Sequence, residues 1–586
     1  MLSNKNYKDI RQKRTSSKFR SHILSRKKFE IEPDEIFLDS KNIPRFELDQ
    51  LEGRIEKPIN KKVFSFLFIF FVIIELMFIS RVWSIEISKG EAFTILSENN
   101  RLRSVRLFSN RGVIYDRFGN KLSWNDVDSR RYSSEGLSNM LGYIGYPSKR
   151  DTEDIEMLYS KEMIGKAGIE KVYNNILSGD AGIKLIETDA HNNIKSESVQ
   201  KLPVDGGNIY LSVDADFQSE LYRYIESLSL EKDFTGGAGI FMDLSSGEVL
   251  SIANFPEYDS QVLSSGEPRE KINSYLTDQR NPFVDRAVSG IYTPGSIMKL
   301  VLAIATLNEK IIDPNKEILS TGSISIPNPF FPDKISVFPD WKAHGLVDMR
   351  RALAVSSNVY FYEVGGGFEE IKGLGIDKIG EYSKMFGLGE KTGIDLDNEG
   401  VGLIPSPEEK KANSPEGDNI WRIGDTYNAS IGQGDFQVTV AQMVKMVSAI
   451  ATDGVLLTPH LIKKCEGRCG DIDMDKFTGI EKLKIPPEYF KIVKEGMRMA
   501  VTDGSAKGLN FSNIKIAAKT GTAEIGSKYV NSWVIGFAPY DNPKIAFAVV
   551  MEKGDRDNTI GGLYIARQAI EWLLENRPRY FEGQFN

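Results

Sequence analysis

The 586-residue chain is short of the side chains that most often carry enzyme chemistry, with four histidines and two cysteines in all. So few histidines leave little room for a Ser-His-Asp relay: His22 sits in a basic tail, His191 in a stretch without other catalytic residues, and His344 and His460 outside any triad context. Two cysteines exclude a disulfide scaffold. Cys465 and Cys469, even with His460, Asp471 and Asp473 nearby, give a C-x3-C spacing without a second ligand pair, so neither a metal site nor a cofactor is expected. A small surface disulfide or two free thiols is the expectation. Positive charge is not in excess either, since the net charge is −7, which argues against nucleic acid as a general partner.

The charge is unevenly placed. Residues 1–62 hold 16 Lys/Arg and 10 Asp/Glu, against 58 and 71 in the rest, a split that suits two compartments. Met1 to Lys28 has ten basic residues, one acid and no sustained apolar period, and reads as a disordered tail. Next comes one long apolar run, Val63 to Ile79, which with its flanks reaches the roughly 20 residues needed to span a bilayer. No small-residue cleavage site closes it, so a single anchor over 63–83 is expected rather than a signal peptide. The basic residues before it place the tail, 1–62, in the cytoplasm and the remainder outside. Glu75 lies about 18 Å along from Val63, near enough to the boundary to snorkel, with contact to a partner helix as the alternative.

Residues 84–235 mix short strand-like and helical stretches without a catalytic cluster, and a structural or interaction role suffices for them. Asn110 to Asn120 alternates and ends in Gly-Asn, a strand and hairpin pattern, while Gly165 to Tyr173 predicts a short helix. From 236 to 586 the pattern changes. Gly239–Asp243 and Glu248–Ala253 predict two strands, residues 296–500 are mainly helical, and Ile514–Ala518, Ser532–Phe537 and Lys544–Met551 predict three more strands before a last helix at Ile565–Leu574. Two early and three late strands closing one antiparallel sheet around a helical middle make an α+β domain.

Its chemistry centres on Thr293-Pro-Gly-Ser-Ile-Met-Lys299, where a Pro-Gly turn delivers Ser296 to an apolar helix with Lys299 on the same face. A serine needs a partner to take its proton, and an amine does so once burial or a neighbouring cation lowers its pKa. The S-x-x-K spacing also occurs at Ser25, Ser198, Ser229 and Ser512, but only Ser296 has the Pro-Gly entry. Ser356-Ser357-Asn358 closes a helix predicted from Val347. Ser356 could pass a proton between Lys299 and a leaving amine while Asn358 holds a substrate amide, though an ordinary helix cap would have the same sequence. Lys-Thr-Gly occurs twice. Lys391 to Gly393 lies among turn residues, whereas Lys519 ends the predicted strand 514–518, so the second copy is the candidate. There an edge strand can pair with an extended peptide, Gly521 permits close approach, and Lys519 with Thr520 or Thr522 can receive a carboxylate. The backbone N–H groups of Ser296 and Thr522 would form an oxyanion hole, and a positive Lys519 would help keep Lys299 neutral.

These three motifs in this order resemble the penicillin-binding proteins and β-lactamases. Arg111 to Gly119, Gly165 to Tyr173 and Asp285 to Ser296 are similar to stretches of the class B penicillin-binding proteins, and the likeness covers nearly everything after residue 63. Trp341-Lys-Ala-His-Gly345, Trp421 to Thr426 and Ser430 to Gly434 look like that family's elongation branch more than its division branch. The resemblance implies a non-catalytic, dimerisation-like pedestal over 84–235 and a serine D,D-peptidase-like transpeptidase domain over 236–586. It also implies acylation of Ser296 by D-Ala-D-Ala stem peptides or β-lactams, and a polytopic membrane glycosyltransferase as partner. The setting implied is the bacterial cytoplasmic membrane, with the catalytic domain on the periplasmic side. A division transpeptidase, a β-lactam sensor and a β-lactamase share the motifs and are the competing readings.

Overall fold

The structure, a computed structural model, describes residues 61–91 and 102–585 apart from 127–128, 134, 150, 152–161, 189–192, 329–332, 416–417, 471, 473 and 479–480. The basic tail before Lys61, His191, Asp471 and Asp473 lie outside the described residues. The chain forms two compact units, 1–98 and 99–586. In the first, the apolar run is helix α1, Lys61–Trp83, continued by a π-helical turn at Ser84–Ser88. Apolar on every side, it buries none of its residues, and the stretch Lys61–Ile87 is long and apolar enough to cross a membrane.

The second unit opens with β1, Leu102–Leu107, followed by the hairpin of β2, Ile114–Tyr115, and β3, Lys121–Asp126, and then β4, Ser129–Tyr132. The predicted hairpin is present, turned at Gly119 (φ 88°), with Asp116 Oδ1 accepting the N–H groups of Phe118 and Asn120 at 2.9 and 2.8 Å. Helix α2, Gly168–Val172, is the predicted short helix. It carries Glu170, fully buried, whose carboxylate takes Arg111 Nε at 2.6 Å and Arg130 Nε at 2.8 Å. Burial pushes that carboxyl up, but the two guanidiniums outweigh it and hold it below the usual range. The two early motifs are thus tied to one another, and removing one partner of such a buried set costs about 3–5 kcal/mol.

Strands β5, Gly182–Thr188, and β6, Ile194–Lys201, join β1 in a three-stranded antiparallel sheet, and β7, Asn208–Leu211, pairs parallel to β2. Helix α3, Ala215–Glu231, then leads into β8, Gly236–Asp243, and β9, Val249–Phe255, the two expected early strands. The helical middle comprises, among others, α4, Lys299–Asn308; α5, Met349–Val355; α6, Asn358–Gly366; α7, Ile423–Ser430; α8, Val440–Ala451; and α9, Pro487–Asp503. A hairpin of β10, Ser323–Pro327, and β11, Ile335–Pro339, interrupts it. Strand β12, Ile462–Glu466, pairs with β7, so the sheet of the early region runs β12-β7-β2-β3-β4. Cys465 on β12 is disulfide-bonded to Cys469, the first of the two states left open by the sequence.

The chain ends with β13, Ala517–Ile525; β14, Tyr529–Ala538; β15, Ile545–Asp555; and α10, Gly562–Asn576. The predicted sheet forms in the order β9-β8-β15-β14-β13, antiparallel throughout. Strand β8 is buried at all eight positions because α8 covers one face while α3 covers the other, which is why it reads as an apolar run rather than an alternation. One expectation shifts. The strand predicted at Ile514–Ala518 runs instead from Ala517 to Ile525, because its register is set by pairing with β14, where Lys519 faces Ile535 and Thr522 faces Ser532. Lys519 therefore lies inside β13, and β13 is the sheet's outer edge.

Candidate active site

The Ser296 turn is built from close backbone approaches. Gly295 has a left-handed backbone (φ 60°), and its N–H donates to Gly432 O at 2.8 Å. A Cβ on Gly295 would come within 2.7 Å of Thr522 O, and one on Gly432 within 2.3 Å of Gly295 O. Three segments far apart in sequence thus meet at main-chain distance, which a side chain at either glycine would prevent. Trp533 Nε1 donates to Thr293 O at 3.1 Å and steadies the approach. Ser296 itself lies in a 3-10 turn, Gly295–Met298, immediately before α4, where the sequence predicted the first turn of an α-helix. Lys299 opens α4 directly after that turn, three residues on from Ser296.

The lysine is fully buried. Its Nζ donates to Asn358 Oδ1 at 2.6 Å and Ser356 O at 2.8 Å, stands 3.4 Å from Ser356 Oγ, and lies 5.6 Å from the centre of the Phe361 ring. Ser356 ends α5 in a left-handed conformation (φ 61°), rare for a side chain with a Cβ, and its hydroxyl also receives Lys519 Nζ at 2.8 Å. Lys519 is as deeply buried and donates in addition to Thr520 O at 2.8 Å. Two amines from distant parts of the chain therefore meet on one serine hydroxyl. Burial lowers the Lys299 amine to about 7 against an opposing pull from the Asp340 carboxylate. Burial and the nearby Lys299 charge push Lys519 well below the usual lysine range. Desolvation is the main cause at both amines, and the repulsion between them disfavours both carrying a proton at once.

Strand alternation divides the remaining predicted residues. Lys519 and Gly521 face the nucleophile turn, and a Cβ at Gly521 would meet Pro294 O at 2.9 Å and Ile297 Cγ2 at 3.0 Å. Thr520 and Thr522 share the opposite side. Thr520 Oγ1 bonds Ser505 Oγ at 2.7 Å, and Thr522 is exposed. The Lys519 amine is turned inward, towards the Ser356 hydroxyl and Thr520 O. The other Lys-Thr-Gly lies far from this chemistry: Lys391 is exposed, and Thr392 is held by Glu399 through its N–H at 2.7 Å and its hydroxyl at 2.5 Å.

Three contributors escaped the sequence reading. Ser505 abuts Thr520, Gly432 abuts Gly295, and Asp340, whose side chain is fully buried, accepts hydrogen bonds from the Ser357-Asn358-Val359 segment. Gly432 and Asp340 lie in or beside stretches that stood out by resemblance, but no spacing rule connects them to Ser296. Among the described residues the two histidines stand against aromatic rings, His344 on Trp341 and His460 on Phe477. Among the described residues no group of His, Cys, Asp and Glu is arranged to hold a metal.

A family model described as the penicillin binding protein transpeptidase domain matches residues 237–571, and one described as the penicillin-binding protein dimerisation domain matches 121–211. Peptidoglycan D,D-transpeptidase MrdA of Acinetobacter baumannii is 29% identical over 474 residues, covering 77% of this chain and 67% of that protein. The Escherichia coli K12 protein of that name is 29% identical over 476 residues, covering 76% and 71%. Among solved structures, Pseudomonas aeruginosa PBP2 in complex with WCK 5153 superposes with a TM-score of 0.66 at 26% identity, over 80% of this chain and 98% of that one. PBP2 in its complex with MreC from Helicobacter pylori gives 0.67 at 25%, over 81% and 99%.

Proposed function

Because the chain belongs to the penicillin-binding protein transpeptidase family, we propose that Ser296 is the nucleophile with which it cross-links peptidoglycan. The chain is a peptidoglycan D,D-transpeptidase of the elongation type, a reading supported by its relatives named peptidoglycan D,D-transpeptidase MrdA. The observation that carries the residue assignment is that Lys299, which follows Ser296 by one turn, meets Lys519 at the Ser356 hydroxyl.

The Ser296 hydroxyl attacks the carbonyl of the penultimate D-alanine, its proton passing to neutral Lys299 Nζ. The C–O bond forms, and the oxyanion is met by the N–H groups of Ser296 and Thr522. As the C–N bond breaks, the proton returns through the Ser356 hydroxyl to the departing D-alanine amine. A second stem peptide's amine then attacks the ester, gives up its proton by the same route, and frees Ser296. Asn358 holds the donor's amide. Thr520 and Thr522 hold its terminal carboxylate on the outer edge of β13, where Gly521 lets the backbone come close. A carboxylate there also favours the shared proton residing on Lys519, which leaves Lys299 free to act as base.

The proposal extends to setting and partners. Helix α1 anchors the chain, with the tail 1–62 in the cytoplasm and the rest outside, and residues 84–235 form a pedestal beneath a transpeptidase domain of 236–586. The chain works with partners of the elongation machinery; the Helicobacter pylori relative is in complex with MreC. In this reading it works with a polytopic glycosyltransferase that docks on the pedestal and on α1 around Glu75. Mass spectrometry after β-lactam treatment tests the centre of the proposal: an adduct maps to Ser296 and disappears in Ser296→Ala. A stable adduct on another serine overturns it.

A further inference from the structure

Resting on that reading, we propose that Asp340 is the positioning residue of the acylation site: a buried carboxylate that fixes the helix start carrying Asn358, and through Asn358 the place of Lys299. Helix α6 begins at Asn358, and its first N–H groups need acceptors. Ser357 serves only the N–H of Tyr360, at 3.3 Å. Asp340 Oδ2 takes the N–H of Asn358 at 2.7 Å, that of Val359 at 3.0 Å and the Ser357 hydroxyl at 2.9 Å, with the Ser320 hydroxyl at 3.3 Å. A carboxylate at this end of a helix is also favoured by its dipole. Asn358 then presents Oδ1 to Lys299 Nζ at 2.6 Å. The chain of contacts runs from Asp340 through Asn358 to the base without Asp340 touching the base.

Asp340 is itself held from several directions. Its N–H donates to Gly322 O at 2.8 Å, and its Oδ1 takes the Trp341 N–H at 2.9 Å. The hairpin that ends just before it is pinned by Phe338, whose ring packs on Tyr362 and Tyr427 and lies 3.1 Å from where a Cβ of Gly424 would be. The Tyr362 hydroxyl donates to Pro339 O at 3.2 Å. The acid is thus a rigid arm reaching from the β10–β11 hairpin under the catalytic triplet, not a surface group that happens to lie near it. Its neighbours also include the His344 ring, with Nε2 3.6 Å from Oδ1, the Lys299 ammonium acting through space, and Lys342 beyond His344. Lys299 faces Lys519 on its other side.

Position and charge give separable signatures. Displacing Asn358 misplaces the amide clamp and the base, and an error of about 1 Å in such a site costs about 100-fold in rate. Removing the negative charge also makes Lys299 easier to deprotonate, because Asp340 favours its charged form. The test is the pH profile of Ser296 acylation by a β-lactam, measured with the full chain in detergent, for wild type, Asp340→Asn and Ser357→Ala. Asp340→Asn is expected to lower the high-pH plateau at least tenfold and to shift the limb on which the rate rises with pH to lower pH. Ser357→Ala, which keeps the charge and loses the hydroxyl bonded to Asp340, Ser320 and the Tyr360 N–H, leaves Asp340 its bonds to the Asn358 and Val359 N–H groups, and is expected to lower the plateau less and leave the limb in place. A plateau within twofold of wild type in folded Asp340→Asn overturns the proposal. So does a lowered plateau with an unmoved limb, which is the mark of packing alone. If Asp340→Asn does not fold, an unchanged plateau in Ser357→Ala overturns it. Labelling that persists in Ser296→Ala defeats the underlying site reading instead, whatever the Asp340 variants do.

Discussion

The two Lys-Thr-Gly tripeptides are identical in sequence and opposite in circumstance. At Lys391 the lysine points to solvent, Thr392 is clasped by Glu399, and Gly393 turns the chain with φ 89°. At Lys519 the same three residues lie flat in an edge strand, the lysine is sealed beside a second amine, and the glycine lets the nucleophile's turn press against the strand. What distinguishes them is the partner each residue meets. A lysine in water is a solvated charge, whereas one desolvated next to another amine can share and move a proton. A glycine in a loop supplies a turn, and one in a strand supplies room.

The widest gap between the copies is expected in acylation. Lys519→Ala should slow β-lactam acylation of Ser296 by about 10²- to 10³-fold, the scale of losing a preorganised electrostatic group. Stopped-flow or gel-based labelling measures it, and a loss below fivefold would put the two copies on a par. The second expectation concerns pH. Lys299 is lowered to about 7 and must be unprotonated to accept the Ser296 proton. Acylation should therefore fall about tenfold per pH unit below that value and level off above it. A flat profile from pH 5 to 9 would show that the buried amines do not govern the rate.

The third expectation turns to the first copy. Glu399→Ala leaves the buried Thr392 hydroxyl and N–H without their acceptor, and should cost about 1–3 kcal/mol of stability. Acylation by the folded fraction should stay at the wild-type rate. Thermal melting read beside labelling separates the two, and a rate loss exceeding the stability loss would draw this loop into catalysis. The smallest effect is for Lys391→Ala, where both melting temperature and acylation should match wild type; a threefold slower reaction would break the contrast from the other side.

Periodicity alone carried much of the architecture. The apolar run became α1, and the two early and three late strands became one antiparallel sheet, because each depends on a local pattern. The start of β13 was misplaced for a reason of the same kind in reverse: Ile514-Lys-Ile-Ala-Ala518 alternates well, but strand limits are set by pairing with β14. At the site, Ser296, Lys299, Ser356, Asn358 and Lys519 could be named in advance, since motif spacing marks residue types. Their converse could not. Asp340 meets Asn358 across 18 residues, and Gly432 meets Gly295 across 137. Such contacts leave no periodic trace. The 3-10 pitch at Ser296 was equally invisible, since Gly-Ser-Ile-Met suits either helix.

Strand β12 carries a consequence for how the chain comes to be folded at all. Residues 462–466 complete a sheet whose other strands lie between 114 and 211, so Ile462 seals against Leu211 about 250 residues after the latter is made. Through most of synthesis β7 presents an open edge, a template for pairing with any extended chain nearby. The early region therefore cannot mature as an independent first-born module. A nascent chain stopped short of Ile462 would expose that edge indefinitely, and the hazard of misassembly falls in the interval before the late strand arrives.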